Sequence, residues 1–282
     1  MKILSCGAGM QSTALALMSC ENKREVMLGN PAPHPLVPIY DAVYFCDLGS
    51  EPAWVYEQVE FIRKACIEHD IPFTVLKTGL HQDYLSNFGK SRVVSIPFWS
   101  IDEDGKKGKM MRTCTLDYKI NAIIKDVKYN LLGYKKYQRL KEEDKKAHEM
   151  HLGFSKEEER RCKENPNPLF VNRFPLCEME LERKDNYKYI LEKWGLETKA
   201  SACNFCPFHT NYFFGKIKTL SPKDYEEILQ FDDMLEREQP NTKIRSKLYI
   251  SKSRKRIKDL KCEDCQDKEV FPYKNRLVWN GF

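Results

Sequence analysis

Apolar residues in the first half of the chain fall into short blocks separated by glycine, proline and acidic turns. Lys2 to Cys6 is one such run; it breaks at Gly7-Ala8-Gly9 and continues as Ser12-Thr13-Ala14-Leu15-Ala16-Leu17-Met18, which predicts a strand, a glycine turn and a helix. Ala42-Val43-Tyr44-Phe45-Cys46 predicts a second buried strand that ends in Asp47-Leu48-Gly49-Ser50-Glu51-Pro52. Val55, Val59, Ile62, Ala65 and Cys66 then recur at helical spacing, and Phe73-Thr74-Val75-Leu76 predicts a third strand. Short apolar strands alternating with helices indicate a parallel sheet covered on both faces, so the first half is α/β.

The rest of the pattern is less regular. The stretch from Asn22 to Pro38 is rich in proline and predicts a surface loop between the first helix and the second strand. Residues 118–132 predict an amphipathic helix, 135–150 a solvated Lys/Glu segment, and Met150 to Phe154 a fourth strand. Beyond about residue 170 the pattern turns to helices and to loops rich in Cys and Pro, with a basic tail. The expected organisation is an α/β domain over 1–170 and a smaller helical, cysteine-containing C-terminal region over 171–282.

Composition narrows the class. The 282 residues are 41% hydrophobic, 31% charged and 12% aromatic, which excludes a disordered chain and allows a sizeable core. No apolar run approaches the roughly 20 residues that cross a bilayer, and no secretory signal is evident, so no membrane partner and a cytoplasmic location are expected. Eleven cysteines without an export signal favour metal binding or thiol chemistry over a disulfide framework. Cys20, Cys46, Cys66 and Cys162 stand singly and read as buried hydrophobes.

Candidate chemistry begins at the first turn. Gly7-Ala8-Gly9-Met10-Gln11-Ser12-Thr13 combines glycines that let backbone approach a phosphate, helix N-terminal amides that point at it, and the hydroxyls of Ser12 and Thr13. No Lys precedes the Ser as in a P-loop, and the third glycine of the dinucleotide fingerprint is missing. On spacing alone, a phosphate site and a tight structural turn both remain open.

Cys203-Asn204-Phe205-Cys206 places two thiols one turn apart, the spacing from which both can reach one metal or cluster, and Pro207 stiffens the loop. Cys114, Cys177 and His209 are the candidate further ligands; a redox dithiol and plain core packing are the alternatives. Cys262-Glu263-Asp264-Cys265 is a second such pair. Lys247, Lys252, Arg254, Lys255, Arg256, Lys258 and Lys261, around Tyr249, form a segment able to follow a phosphate backbone or to lie on an ordinary solvated surface.

The stretch Leu4-Ser5-Cys6-Gly7-Ala8-Gly9-Met10-Gln11-Ser12-Thr13-Ala14-Leu15 resembles the pyrophosphate-binding loop of the adenine nucleotide alpha-hydrolase superfamily, and within it the phosphoadenosine phosphosulfate reductase family. It is most similar to the phage and mobile-element branch related to the ATPase subunit of DNA phosphorothioation systems. The likeness continues in order through Phe45 to Pro52, Arg112-Thr113-Cys114-Thr115-Leu116-Asp117-Tyr118-Lys119-Ile120, Leu152-Gly153-Phe154-Ser155 with Glu158 and Arg161, Phe174-Pro175-Leu176, and Ser201 to His209.

The resemblance implies a Rossmann-like parallel sheet holding ATP and Mg2+. Ser5, Gly7, Ala8, Gly9, Gln11, Ser12, Thr13, Phe45, Asp47, Gly153 and Glu158 would line the nucleotide, and Ser12, Asp47, Arg112, Lys119 and Arg161 would serve catalysis. It further implies cleavage of ATP to AMP and pyrophosphate to activate a nucleic acid (DNA or tRNA) or a small metabolite for sulfur incorporation from a sulfur donor. Cys114, Cys203 and Cys206 would hold an iron–sulfur cluster, with Cys177 fourth, or Zn2+ if His209 completes the set. Gln11 stands where the superfamily's loop usually carries an acid, which weakens magnesium binding by the loop itself. The competing readings are a thiol-dependent sulfonucleotide reductase and a nucleotide-sensing or nucleic-acid-binding module without turnover.

Overall fold

The computed structural model describes residues 1–91 and 95–261. In chain order it contains β1 (Lys2–Ser5), α1 (Met10–Met27), β2 (Ala42–Asp47), α2 (Ala53–Glu68), β3 (Phe73–Lys77), α3 (Leu80–Asn87), β4 (Trp99–Ile101) and β5 (Lys107–Lys109). Then follow α4 (Asn121–Asp126), flanked by π-helical turns at Leu116–Ile120 and Val127–Leu131, β6 (His148–Leu152), β7 (Phe170–Arg173), α5 (Pro175–Glu178), α6 (Arg183–Trp194), α7 (Asn211–Leu220), α8 (Pro222–Glu238) and β8 (Lys247–Tyr249).

β1, β2, β3, β6 and β7 form one sheet in the order β3-β2-β1-β6-β7, with every pairing parallel. Side chains alternate along a strand, and the strands sort their residues accordingly. Leu4, Val43 and Phe45 join the core under α1 and α2, while Ile3, Ala42, Tyr44 and Cys46 join a second core completed by Ile123 and Val127 of the α4 segment. Both faces are therefore covered, as apolar runs without a polar side require. Among the described residues no helix is long and apolar enough to cross a membrane.

Several expectations need correction. α1 runs to Met27, so the loop begins later than Asn22. Asn22 is buried in the helix and its amide donates to the carbonyls of His34 (2.8 Å) and Val37 (2.6 Å), pinning the proline segment. Its polarity marks a bond to the loop, not membership of it. The Lys/Glu segment is solvated only in its first part, since His148 and Met150 are buried in β6. Among the described residues two strands lie beyond residue 169: β7 ends the parallel sheet, and β8 pairs with β4 in a small antiparallel sheet, β5-β4-β8. The expected break at 170/171 thus falls inside β7, and one core extends from Leu4 to Ile257.

The later part of the chain is held to the sheet by aromatic packing. Phe231 of α8 is fully buried and stacks on Phe205 at 4.4 Å between ring centroids, with Tyr84 of α3 at 6.0 Å and Phe98 at 6.3 Å. Because Phe205 lies between Cys203 and Cys206, this stack also fixes the cysteine loop. Phe231→Ala is expected to cost about 3–5 kcal/mol, the usual range for emptying a buried phenyl site, read as a lower urea midpoint at unchanged slope.

Candidate functional site

The turn after β1 is built to be rigid. Ala8 has φ +53°, a left-handed conformation unusual for a residue with a side chain, and Gln58 of α2 donates to its carbonyl at 2.7 Å. The Ser12 hydroxyl accepts the Gly7 N–H (3.2 Å) and donates to the Gly9 carbonyl (3.1 Å); Thr13 donates to the same carbonyl at 2.9 Å. Gly9 caps α1 without a side-chain bond, and the first turn holds no acidic residue. The free amides and dipole of an 18-residue helix therefore face the turn, an arrangement that favours an anion.

Topology puts this turn where open parallel sheets bind ligands. β2 and β3 extend from β1 in one direction, β6 and β7 in the other, so the loops after β1 and β6 flank the point where strand order reverses. They meet there: a Cβ on Gly153 would lie 2.7 Å from the Ser12 nitrogen and 2.9 Å from the Gln11 carbonyl carbon.

Gln11 donates from Nε2 to Glu158 Oε2 at 2.7 Å and to the Ser155 hydroxyl at 3.3 Å. Glu158 is also paired with Arg161 and, at 3.2 Å, with Arg183, while the Arg161 guanidinium lies 4.2 Å from the centre of the Phe154 ring. Glu158 thus places a carboxylate beside position 11, with Oε1 paired to Arg161 and Arg183 and Oε2 to Gln11. Asp47 stands at the end of β2, where Oδ1 accepts the Gly49 N–H (2.8 Å) and the Tyr56 hydroxyl (3.0 Å).

Other predicted nucleotide residues take different roles. Phe45 is a core side chain, and Thr13 is fully buried and locks the turn from within. Ser5 lies in β1, paired with Tyr44 and Leu152. Arg112 is exposed, with Nη2 donating to Thr115 at 3.0 Å.

The segment from Lys199 to Cys206 lies against the turn. Gln58 Nε2 reaches the Lys199 carbonyl (3.2 Å) as well as that of Ala8, Trp54 donates to the Ala200 carbonyl (3.0 Å), and a Cβ on Gly9 would lie 2.6 Å from Ser201 Oγ. Gly9 thus leaves room for the Ser201 hydroxyl, which a side chain there would force to rotate away. Asn204 anchors the same segment to the β2 loop through its N–H to the Ser50 carbonyl, 2.9 Å.

Cys203 and Cys206 belong to the same segment, and Cys114 and Glu51 act electrostatically on both thiols, Lys119 on Cys203. The Cys203 thiol is 3.8 Å from Glu51 Oε1. Burial pushes this thiol well above its ordinary range, and the Glu51 carboxylate adds to the effect. Burial also raises Cys206, Cys46 (to about 11) and Cys6 (to about 11). Glu51 is itself raised, chiefly by burial, with Lys119 opposing. Burial pulls Lys119 down, but Glu51 and the surrounding sulfurs outweigh it, so the ammonium is retained.

These residues do not form a metal centre as they stand: among the described residues no three His, Cys, Asp or Glu side chains converge on a point able to hold a metal ion. Two expected ligands are engaged elsewhere. His209 donates through Nε2 to the Cys203 carbonyl at 2.8 Å and stacks on Phe213 at 3.5 Å; burial lowers its pKa to about 4, so the ring is neutral and braces the cysteine loop. Cys177 lies 3.4 Å from Cys162 and donates to the Phe154 carbonyl at 3.1 Å, with burial raising it to about 12. It belongs to the Glu158 side of the site.

The basic segment is divided. Arg256 is buried against Asp232 (3.1 Å) and Glu236 (3.3 Å), and Lys258 pairs with Asp233 (3.1 Å), so these cations serve the fold. Cys262 and Cys265 lie outside the described residues. Sequence reasoning missed Glu51, Gln58 and Ser201 as site residues. The only signal for Glu51 and Ser201 was membership in motif blocks, and Gln58 carried none. No protein-family model matches the chain, and no curated protein matches it significantly.

Proposed function

We propose that this chain is an adenylating enzyme of the adenine nucleotide alpha-hydrolase type, which uses ATP to activate a substrate oxygen for replacement by sulfur. The observation that carries the reading is the rigid Gly7–Thr13 turn at the strand-order reversal, with the Glu158 carboxylate on one side and the segment of Ser201, Cys203 and Cys206 on the other. In the first step the substrate oxygen attacks the α-phosphorus, the α–β anhydride bond breaks, and pyrophosphate leaves. The free amides at the start of α1 would stabilise the charge that develops on the leaving group, while Ser12, whose proton goes to the Gly9 carbonyl, holds the turn in shape. In the second step a hydrosulfide attacks the activated carbon and AMP departs with the oxygen.

Glu158, held by Gln11, would share a magnesium ion with the phosphates, which supplies charge neutralisation. Lys119 keeps a positive charge close to the thiols and to Cys6 at the head of the turn. No step is routed through an iron–sulfur cluster or zinc, because the thiols do not converge as a ligand set. The sulfonucleotide reductase reading needs a thiolate nucleophile, and a Cys203 thiol raised by burial and by Glu51 is poorly suited to that task.

The test is product analysis with α-labelled ATP, sodium sulfide and bulk tRNA or sheared DNA as acceptor. AMP and pyrophosphate should form, and Ser12→Ala, which removes the bonds that lock the turn, should lower their rate by about 100-fold, the scale of a roughly 1 Å misplacement of a positioning element. Formation of ADP and phosphate, or an AMP rate indifferent to Ser12→Ala, would refute the reading. Binding without turnover under all these conditions would favour a sensing module.

A further inference from the structure

Resting on that reading, we propose that the substrate presented to this site is a single-stranded or looped segment of nucleic acid. It would be held on a cation–aromatic platform formed by the small antiparallel sheet and the residues that follow Cys206. Phe208, two positions past Cys206, is 46% exposed despite its large apolar ring. Lys109 Nζ stands 4.9 Å from the centre of that ring and the Arg112 guanidinium 5.3 Å. Trp99 of β4 carries Lys109 and Arg254, each 5.3 Å from its ring centre, and its indole N–H donates to the Pro207 carbonyl at 2.7 Å. The two rings are thereby tied together through the residue between Cys206 and Phe208.

The platform continues into an open cleft of about 670 Å³. Arg245, Lys247, Tyr249 and Arg254 line it, with Glu236 and Asp259 as its acidic members. Two features join cleft and platform: Tyr249 is the register partner of Trp99, and Arg254 donates to the carbonyls of Ser100 (3.0 Å) and Gly108 (3.1 Å) while lying over Trp99. Among the described residues no carboxylate pairs with Arg245, Lys247, Lys252 or Lys109, unlike Arg256 and Lys258. Asp102, Glu103 and Asp104 form the turn between β4 and β5 and bound the surface with the opposite sign, which directs an anionic backbone along β8.

The chemistry selects the partner. The exposed Phe208 ring, with the half-buried Trp99 and Tyr249 and the cations around them, offers stacking to bases and charge to phosphates, the combination by which single strands are bound without a sequence code. A duplex conceals its base faces, and an anionic lipid surface has none to stack. A base resting on Phe208 would be two residues from Cys206, at the end of the segment whose Ser201 approaches the turn at Gly9.

The test uses the full chain and fluorescently labelled strands of roughly 16 nucleotides, as DNA, as RNA and as the matching duplex, with phosphatidylserine vesicles in parallel. Either single strand should bind more tightly than the duplex, and the DNA and RNA arms show which nucleic acid is preferred. Phe208→Ala should weaken single-strand binding about tenfold. Lys247→Gln with Lys252→Gln should flatten the logarithmic salt dependence by about 0.7 for each phosphate that the variant no longer neutralises. ATP affinity should be unchanged in both variants. Equal binding of duplex and single strand, indifference to Phe208→Ala, or binding to vesicles alone would overturn the inference. ATP binding without any strand binding would sink it while leaving adenylation intact. Strand binding that depends on Phe208, with no ATP binding, would support the platform and remove the adenylation reading.

Discussion

Gly153→Ala is expected to weaken ATP binding by about 100-fold while leaving the chain folded. The added methyl would lie 2.7 Å from the Ser12 nitrogen, 2.9 Å from the Gln11 carbonyl carbon and 3.0 Å from the Ser12 Cα. All of these are backbone atoms, so no side-chain rotation relieves the clash and one of the two loops must move. Overpacking of this kind costs about 1–3 kcal/mol of stability, which a domain of this size tolerates. Its effect on the turn is larger, because a displacement near 1 Å in a phosphate-positioning element is enough to lose about 100-fold. Titration calorimetry with ATP, alongside urea denaturation, separates the two effects. ATP affinity equal to wild type would mean that the loops after β1 and β6 do not form a shared cradle.

The second large effect is on the buried ion group. Lys119→Met leaves Glu51, only 3% exposed, facing raised-pKa thiols without its compensating cation. Lys119 acts on Glu51 through space and not in a direct ion pair, so the cost is expected to fall below the ~3–5 kcal/mol of a broken buried pair. The pH dependence has a defined sign. Glu51 is already raised above the ordinary carboxylate value, and without Lys119 it rises further. Such a group costs stability when ionised, so the deficit is largest near neutrality and shrinks as pH falls toward the ordinary glutamate range near 4.3. Lys119→Met/Glu51→Gln should recover most of the loss at neutral pH, since it removes both charges. A pH-independent deficit, or no recovery in the double variant, would show that Lys119 acts through packing alone.

The central sheet was legible because its chemistry is local. Strands buried on both faces leave uninterrupted apolar runs, and Lys2 to Cys6 and Ala42 to Cys46 end at a glycine and an acid; Phe73 to Leu76, at the sheet edge with Val75 exposed, runs out at Lys77-Thr78-Gly79. β7 and β8 were not legible: Phe-Val-Asn-Arg and Lys-Leu-Tyr are too short and too polar to signal pairing, which their neighbours impose. The turn at Gly7–Gly9 was readable as a close-approach element, but what approaches it was not. Ser201 comes from nearly two hundred residues away, and the reason Gly9 lacks a side chain is visible only once that segment lies across it.

The cysteines illustrate the same limit. Spacing marks Cys203 and Cys206 as a pair, but it cannot tell which distant thiol or imidazole joins them. His209 is close in sequence yet spends its nitrogen on a carbonyl, and Cys177 pairs with Cys162 on the other side of the turn. Gln11 is the converse case. Read alone it removes a charge from the loop, while the fold sets the Glu158 carboxylate beside it through a hydrogen bond.

Equilibrium binding of ATP to the wild-type chain, measured beside Ser12→Ala, tests the central claim most directly. The account predicts saturable, magnesium-strengthened binding that Ser12→Ala weakens by tenfold or more, about 1.4 kcal/mol. No ATP binding, or binding that Ser12→Ala leaves unchanged, would contradict it.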